Sequence, residues 1–218
     1  MSLMLIIGNR RYSSWSLRGW LAARHAGLPF EVELVNLYAE NWAERRARPD
    51  LAVSAGLVPV LWDGAVAAFH SLGIIAHLER RSGGTRFWPA EPAAHAFAAS
   101  IAAEMQSAFA ALRRHCPMNV MRHYPGWHLH EEAAADVARI DSLWCHGIGR
   151  FGGPWLAGAD YGAADILFAP VASRFTTYAV ALSPVAEAYR ARAMAHPFMA
   201  EWIAAAAAEV WRQPAHEF

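Results

Sequence analysis

Residues 3–21 constrain the fold more than any other stretch. An apolar run of Leu3, Met4, Leu5, Ile6 and Ile7 ends at Gly8-Asn9. The hydroxyl-rich segment Tyr12-Ser13-Ser14-Trp15-Ser16-Leu17-Arg18 follows, and then Gly19-Trp20-Leu21. A short apolar run closed by Gly-Asn reads as a buried strand. Ser13, Ser14 and Ser16 are N-cap candidates, and Leu17, Trp20 and Leu21 recur at helical spacing, so the spacing predicts a helix directly after the loop. A helix N-terminus leaves unpaired N–H groups and about half an elementary positive charge. Hydroxyls gathered there suit an anion, a thiolate among them. The same serines would serve equally well as simple caps, and the stretch alone leaves both readings open.

The 218 residues suit one large domain or two small ones, and 56% hydrophobic against 17% charged excludes a disordered chain. Nineteen basic residues balance nineteen acidic ones, so no general field draws nucleic acid or anionic lipid. Ten Trp and ten Phe imply a large core, with apolar surface available for an interface or pocket. Cys116 and Cys145 alone make no disulfide framework, which points to a reducing compartment. No apolar stretch has the length of a membrane span and no leader pattern is visible, so a cytoplasmic protein without nucleic-acid or membrane partners is expected.

The alternation over residues 30–35 predicts a second strand, parallel to the first through the crossover helix. Residues 40–48 read as a charged, helix-prone segment stopped by Pro49, a solvated and mobile connection rather than a binding patch. Val58-Pro59-Val60-Leu61-Trp62, Asp63-Gly64 and residues 65–69 read as a hairpin, with Pro59 confined to an edge or a cis turn. Phe69-His70-Ser71 leads into an apolar helix that Ser71 is placed to cap. The Gly- and Pro-rich stretch 82–92 marks a boundary. Beyond it, residues 93–114 read as one long helix with Phe97, Ile101, Met105, Phe109 and Leu112 on one face. Further helices are predicted at 131–148, from Gly162-Ala163-Ala164-Asp165 onward, at 185–194 and at 198–211. The expected order is βαβαββα, then all helix. His115, Cys116, His123, His128, His130, Glu131 and Glu132 match no four-ligand metal spacing, and no metal is expected.

Three ordered patterns resemble the cytosolic glutathione S-transferases. Residues 13–18 are similar to the active-site segment of the serine-type members, with a zeta-like loop. Val58-Pro59-Val60-Leu61 is similar to the family's cis-proline strand. Gly162 to Val171 is similar to its buried capping-box helix, with Gly where Ser or Thr is usual. The resemblance implies a thioredoxin-like domain over 1–82, a linker over 83–92 and an all-helical electrophile-binding domain over 93–218. It implies a cytoplasmic homodimer acting in detoxification, with glutathione as co-substrate and a small electrophile as partner. Glutathione would lie along Leu57, Val58 and Pro59, with its γ-glutamyl carboxylate at His70 and Ser71. Ser13 or Ser14 would donate to the sulfur, with Ser16 as second donor or cap. A serine hydroxyl is too weak an acid to act as a base there; it can hold a thiolate by donation.

The spacing to Arg18 favours Ser13, and Arg18 is expected to pair with a carboxylate beneath the site. Trp15, Arg113, Cys116, Met118 and Arg122 are the candidate lining of the electrophile pocket, and Arg113 and Arg122 would suit a dicarboxylate-like substrate of an isomerase. Leu57 and His70 depart from the polar and acidic residues common in the family. They keep a second reading open, that of a non-catalytic binding or interaction module on the same fold.

Overall fold

A computed structural model describes residues 2–218. Strand β1 (Leu3–Gly8) leads through the serine loop into α1 (Ser14–Ala26), and β2 (Phe30–Val35) returns parallel to β1 with Leu3 opposite Phe30. Short helices α2 (Trp42–Arg46) and α3 (Pro49–Ala52) precede the antiparallel hairpin of β3 (Val60–Asp63) and β4 (Val66–Phe69), and α4 (Ser71–Arg81) follows. The sheet order is β2-β1-β3-β4, with Leu5 opposite Leu61. This is a thioredoxin-like unit. Alternate residues of a strand face opposite sides. Leu3, Leu5, Ile7 and Leu61 therefore join the main core, while Ile6 and Val60 meet Val35 and Leu51 on the other face.

The local signals of α1 behave as their chemistry predicts. Ser13 is the N-cap and accepts from Ser16 N, and Gly27 closes the helix in the left-handed region at φ 68°. The Val58-Pro59 bond is cis. Pro59 packs on α1 where Gly19 leaves room: a Cβ at Gly19 would lie 2.6 Å from Pro59 Cγ.

Three expectations need correction here. Pro49 does more than stop a helix; it opens α3 at its first position, where a missing N–H costs nothing. The connection before it is tied down, because Arg45 bridges Glu33 at 2.6 Å and Asp50 at 2.8 Å. Ser71 is not the cap of α4; His70 holds that position, with no side-chain bond.

The remaining elements are helical: α5 (Pro92–Ser107), α6 (Ala110–His115), α7 (Glu131–Phe151), α8 (Ala163–Thr177), α9 (Pro184–Met194), α10 (Pro197–Ala208) and a 3-10 turn at Pro214–His216. None of these helices is long and apolar enough to cross a membrane, among the described residues. The long helix expected over 93–114 is two helices. Phe109 sits between them in the left-handed region at φ 62°. That conformation costs about 1–2 kcal/mol for a residue with a Cβ, and burying the Phe109 ring returns about as much or more. Arg113 folds back and donates to Met105 O and Ala108 O, which satisfies the end of α5.

The last helix also stops early, at Ala208 rather than 211, and residues 209–218 turn back over the serine loop. At the start of α8, Asp165 accepts from Gly162 N at 3.0 Å, Leu156 N at 3.1 Å and the Tyr189 hydroxyl at 3.0 Å. Ala163 N donates to Phe87 O of the linker at 2.8 Å.

Cys116 and Met118 lie in the core among the ends of α6 and α8. Burial pushes the Cys116 thiol up to about 11.

Two outcomes follow. Gly19→Ala gains about 1 kcal/mol of helix propensity but forces its methyl into the Pro59 ring, and overpacking costs about 1–3 kcal/mol. Its urea midpoint is expected below wild type, whereas Gly73→Ala in α4, where a Cβ meets nothing within 4 Å, is expected at or above it. Iodoacetamide at pH 8, followed by peptide mass spectrometry, is expected to leave Cys116 unmodified in the native protein and to label it fully in urea. Labelling of native Cys116 at the rate of free cysteine would contradict its placement.

Candidate active site

The serine loop is held from below by main-chain and hydroxyl bonds. Tyr12 N and Ser13 N donate to Asn9 O at 3.2 and 2.9 Å. Ser16, wholly buried, accepts from Gly8 N at 2.9 Å and lies 2.8 Å from Ser13 Oγ. It therefore joins the end of β1 to the cap of α1. Ser14 opens the helix and accepts from Arg174 Nη2 at 3.3 Å. That bond leaves the Ser14 hydroxyl hydrogen free to donate elsewhere.

Behind these serines stand three guanidinium groups. Arg18 is wholly buried, and its Nε donates to Leu167 O at 2.8 Å. Both its Nη atoms are buried without a partner among the described residues. The expected carboxylate beneath the site is replaced by a backbone carbonyl, and the charges acting on Arg18 are those of Arg174 and Arg113. Burial and these like charges drive Arg18 well below its usual pKa, and burial with Arg113 brings Arg174 down to about 10. Trp15 lies beneath two of the cations, 4.7 Å from the Arg18 guanidinium carbon and 5.6 Å from that of Arg113. The site is a positive, water-poor pocket wall with hydroxyls at its mouth.

Across the groove, Ser54 Oγ donates to Leu57 O at 2.6 Å and Leu57 N donates back to it at 3.2 Å. This clasp sets the turn into the cis Val58-Pro59 bond, with Val58 just ahead of the sheet ladder that begins at Val60. Leu57 is 51% exposed. His70 has φ 57° and ψ 146°, a conformation worth about 1–3 kcal/mol of strain in a non-glycine residue. It delivers Ser71 to the first position of α4, where the Ser71 hydroxyl is buried and unpartnered among the described residues. A hydroxyl in that state beside the free N–H groups of a helix start is an acceptor-seeking donor.

The other residues predicted for the site are distributed differently. Arg113 faces Trp15, while Cys116 and Met118 are buried core residues. Arg122 is engaged by Glu217, 2.6 Å from Nε. His115 and His130 stack at 4.0 Å and 2°, with Glu132 3.8 Å from His115 Nε2. His130 Nδ1 accepts from Glu132 N and so caps α7, and the donor atoms of His115, His130 and Glu132 lie within 4.8 Å of one another. A cavity of about 810 Å³ lies elsewhere, between the linker and the starts of α5 and α8, and no serine-loop residue lines it. Arg174 is the site residue that the sequence reading missed. Its signal was available: with Asp165 it is one of two charges in the otherwise apolar α8.

The architecture can be set beside known proteins. Residues 12–81 match the family model for the glutathione S-transferase N-terminal domain. No curated protein matches the chain by sequence. Among solved structures, a glutathione transferase homolog from Burkholderia, with bound glutathione, is 20% identical and aligns over 96% of this chain and 100% of its own at a TM-score of 0.71. A glutathione S-transferase from the Antarctic clam Laternula elliptica is 15% identical over 96% of this chain and 95% of its own, with a TM-score of 0.71. The theta class enzyme of the citrus canker pathogen Xanthomonas axonopodis pv. citri, with glutathione bound, is 18% identical over 93% and 97%, with a TM-score of 0.65. The chain therefore has the glutathione S-transferase fold over nearly its whole length, and its residues 12–81 match that family's N-terminal domain.

Proposed function

We propose that the protein is a glutathione S-transferase that activates the glutathione thiol for attack on a small electrophile. The observation that carries this reading is the pair Ser13 and Ser14 at the mouth of α1, backed by the buried guanidiniums of Arg18 and Arg174, which pair with no carboxylate among the described residues. Residues 1–82 bind glutathione, 83–92 link, and 93–218 hold the electrophile. The tripeptide lies along the margin at Leu57, Val58 and Pro59 by strand-like main-chain pairing. Its γ-glutamyl carboxylate takes the free hydroxyl of Ser71 and the N–H groups at the start of α4, beside His70.

Ser13 donates to the sulfur. Ser13 Oγ donates to Ser16 Oγ at 2.8 Å, and rotation about its Cβ–Oγ bond turns that hydrogen to a sulfur in the groove. Ser14, polarised by Arg174, is the second donor, and Ser16 supports from beneath. Bringing a thiol pKa of about 8.5 down by two units requires about 2.7 kcal/mol of preference for the thiolate. One charge-assisted hydrogen bond together with a helix N-terminus is of that size, and the Arg18, Arg113 and Arg174 charges add to it. The thiol proton leaves to solvent. The thiolate electron pair forms a C–S bond, and the electrophile's leaving group departs with its own pair; in a thiol-dependent isomerisation the same bond forms and then breaks after rotation. Trp15 and Arg113 form the electrophile side. A homodimer with the sites near its interface, and a zeta-like isomerase activity, belong to the same reading.

A second reading has its own observation. Exposed Leu57 and His70 stand where polar and acidic groups would hold the ligand, which favours a binding module that retains the fold without turnover.

The test is retention on immobilised glutathione, turnover of 1-chloro-2,4-dinitrobenzene, and titration of the bound thiol. Wild type is expected to bind, to turn over, and to show a thiol pKa about two units below free glutathione. Ser13→Ala is expected to raise that pKa by about one unit and to lower turnover roughly tenfold; Arg174→Met is expected to shift the pKa the same way. Retention without turnover would favour the module, and absence of both would overturn glutathione as the ligand.

A further inference from the structure

Residues 209–218 cross the flank of the serine loop, held by the Glu209 carboxylate on Asn9 and Arg10, by Gln213 N on the Tyr12 hydroxyl, by His216 O on Asn119 and by the Glu217 carboxylate. The Glu217 side chain accepts from the Tyr12 hydroxyl at 2.6 Å, from Asn119 Nδ2 at 3.3 Å and from Arg122 Nε at 2.6 Å. One residue earlier, the His216 ring lies 5.5 Å from Tyr12 and 6.0 Å from Tyr38, and these two tyrosines meet edge to face at 6.0 Å. The chain thus lays an aromatic ring against two tyrosines and sets a carboxylate on a guanidinium, an amide and a phenol.

Part of the receptor is fixed by contacts outside the segment, while Asn119 Nδ2 also donates to His216 O at 2.8 Å and the Tyr12 hydroxyl accepts from Gln213 N at 3.1 Å. Asn119 is 1% exposed; its Oδ1 accepts from Met121 N at 3.1 Å and its carbonyl from Thr177 Oγ1 at 3.0 Å, so its amide hydrogens are fixed outward. Val120 N donates to Arg11 O at 3.1 Å, which fixes the same loop against the residue before Tyr12. Tyr12 is 7% exposed. The occupant is different in kind. Val210 is 80% exposed and Phe218 59%, and the segment holds a single 3-10 turn. Such a segment belongs to the low-stability end of a structure, where opening is cheap.

We propose that Tyr12, Tyr38, Asn119 and Arg122 form a binding site for an aromatic carboxylate, which His216 and Glu217 occupy as a built-in stand-in when no ligand is bound. Arg122 supplies the planar fork that a carboxylate matches, Tyr12 and Asn119 the two further donors, and the tyrosine faces the ring contact. A tethered carboxylate competes at an effective concentration on the order of millimolar, so a free ligand binds weakly until the tether is removed. The site is a statement about binding and stands or falls apart from the transferase reading.

The experiment titrates benzoate into the full chain by calorimetry, with benzamide as the neutral control. Glu217→Ala is expected to bind benzoate at least tenfold more tightly than wild type, Glu217→Gln to fall between them, and Glu217→Ala combined with Arg122→Met to return to wild-type weakness or below. Benzamide is expected to show no binding to any of them. The proposal is overturned if Glu217→Ala, or Glu217→Gln should the alanine variant not fold, binds benzoate no better than wild type. It is equally overturned if the tighter binding survives Arg122→Met or if benzamide binds as well as benzoate.

Discussion

The buried guanidinium of Arg18 is the constraint around which the molecule is arranged. It sits at the packing of α1 on α8, anchored by one bond to Leu167 O, with two nitrogens unpartnered among the described residues, the Trp15 ring against it and the cations of Arg113 and Arg174 acting on it. A charge withdrawn from water without a counter-ion costs several kcal/mol, so neighbouring packing must carry it. The interface supplies that packing: Leu17 and Leu21 of α1 and Ile166, Phe168 and Phe175 of α8 are all fully buried in the same core. The consequence is a fold that keeps positive charge where apolar side chains would be more stable. Such an arrangement persists most simply where an anion returns the cost.

The sheet-bearing half does not set its serine loop alone. Arg10 O accepts from Trp202 Nε1 at 3.0 Å, Arg10 N donates to Glu209 at 2.8 Å, and Arg11 O accepts from Val120 N. Each of these contacts reaches residues 9–12 from the helical half. The strand and α1 bring the serines to the right end of the sheet, and the helical half then fixes the approach of the chain into the cap. The two halves thus share one site mechanically as well as chemically.

What could be read from the sequence divides along the range of the interactions involved. The strands at 3–8, 30–35 and 60–69, the Ser13 cap, Gly27 and Pro59 were legible because each rests on periodicity or on a local backbone preference. The break at Phe109 was hidden, because Ile101, Met105, Phe109 and Leu112 keep one apolar face in phase across it and nothing in the pattern marks a left-handed residue. Arg18 misled for a related reason. A buried arginine implies a partner, and the partner is a main-chain carbonyl that no side-chain pattern announces. Arg122 was recognised as a cation beside the site, but its engagement by Glu217 spans 95 residues and leaves no trace in spacing.

Gly162 shows what such long-range fastening entails. A Cβ there would stand 2.7 Å from Phe87 O, the acceptor that receives Ala163 N. The helix borrows its end-cap from a stretch of chain 76 positions upstream instead of carrying one on its own first residue. A side chain at 162 would need the space that Phe87 O holds, so the linker's route and the start of the helix are fixed together. At this joint the boundary between the two halves is a seam sewn from both sides, and neither half can loosen there alone.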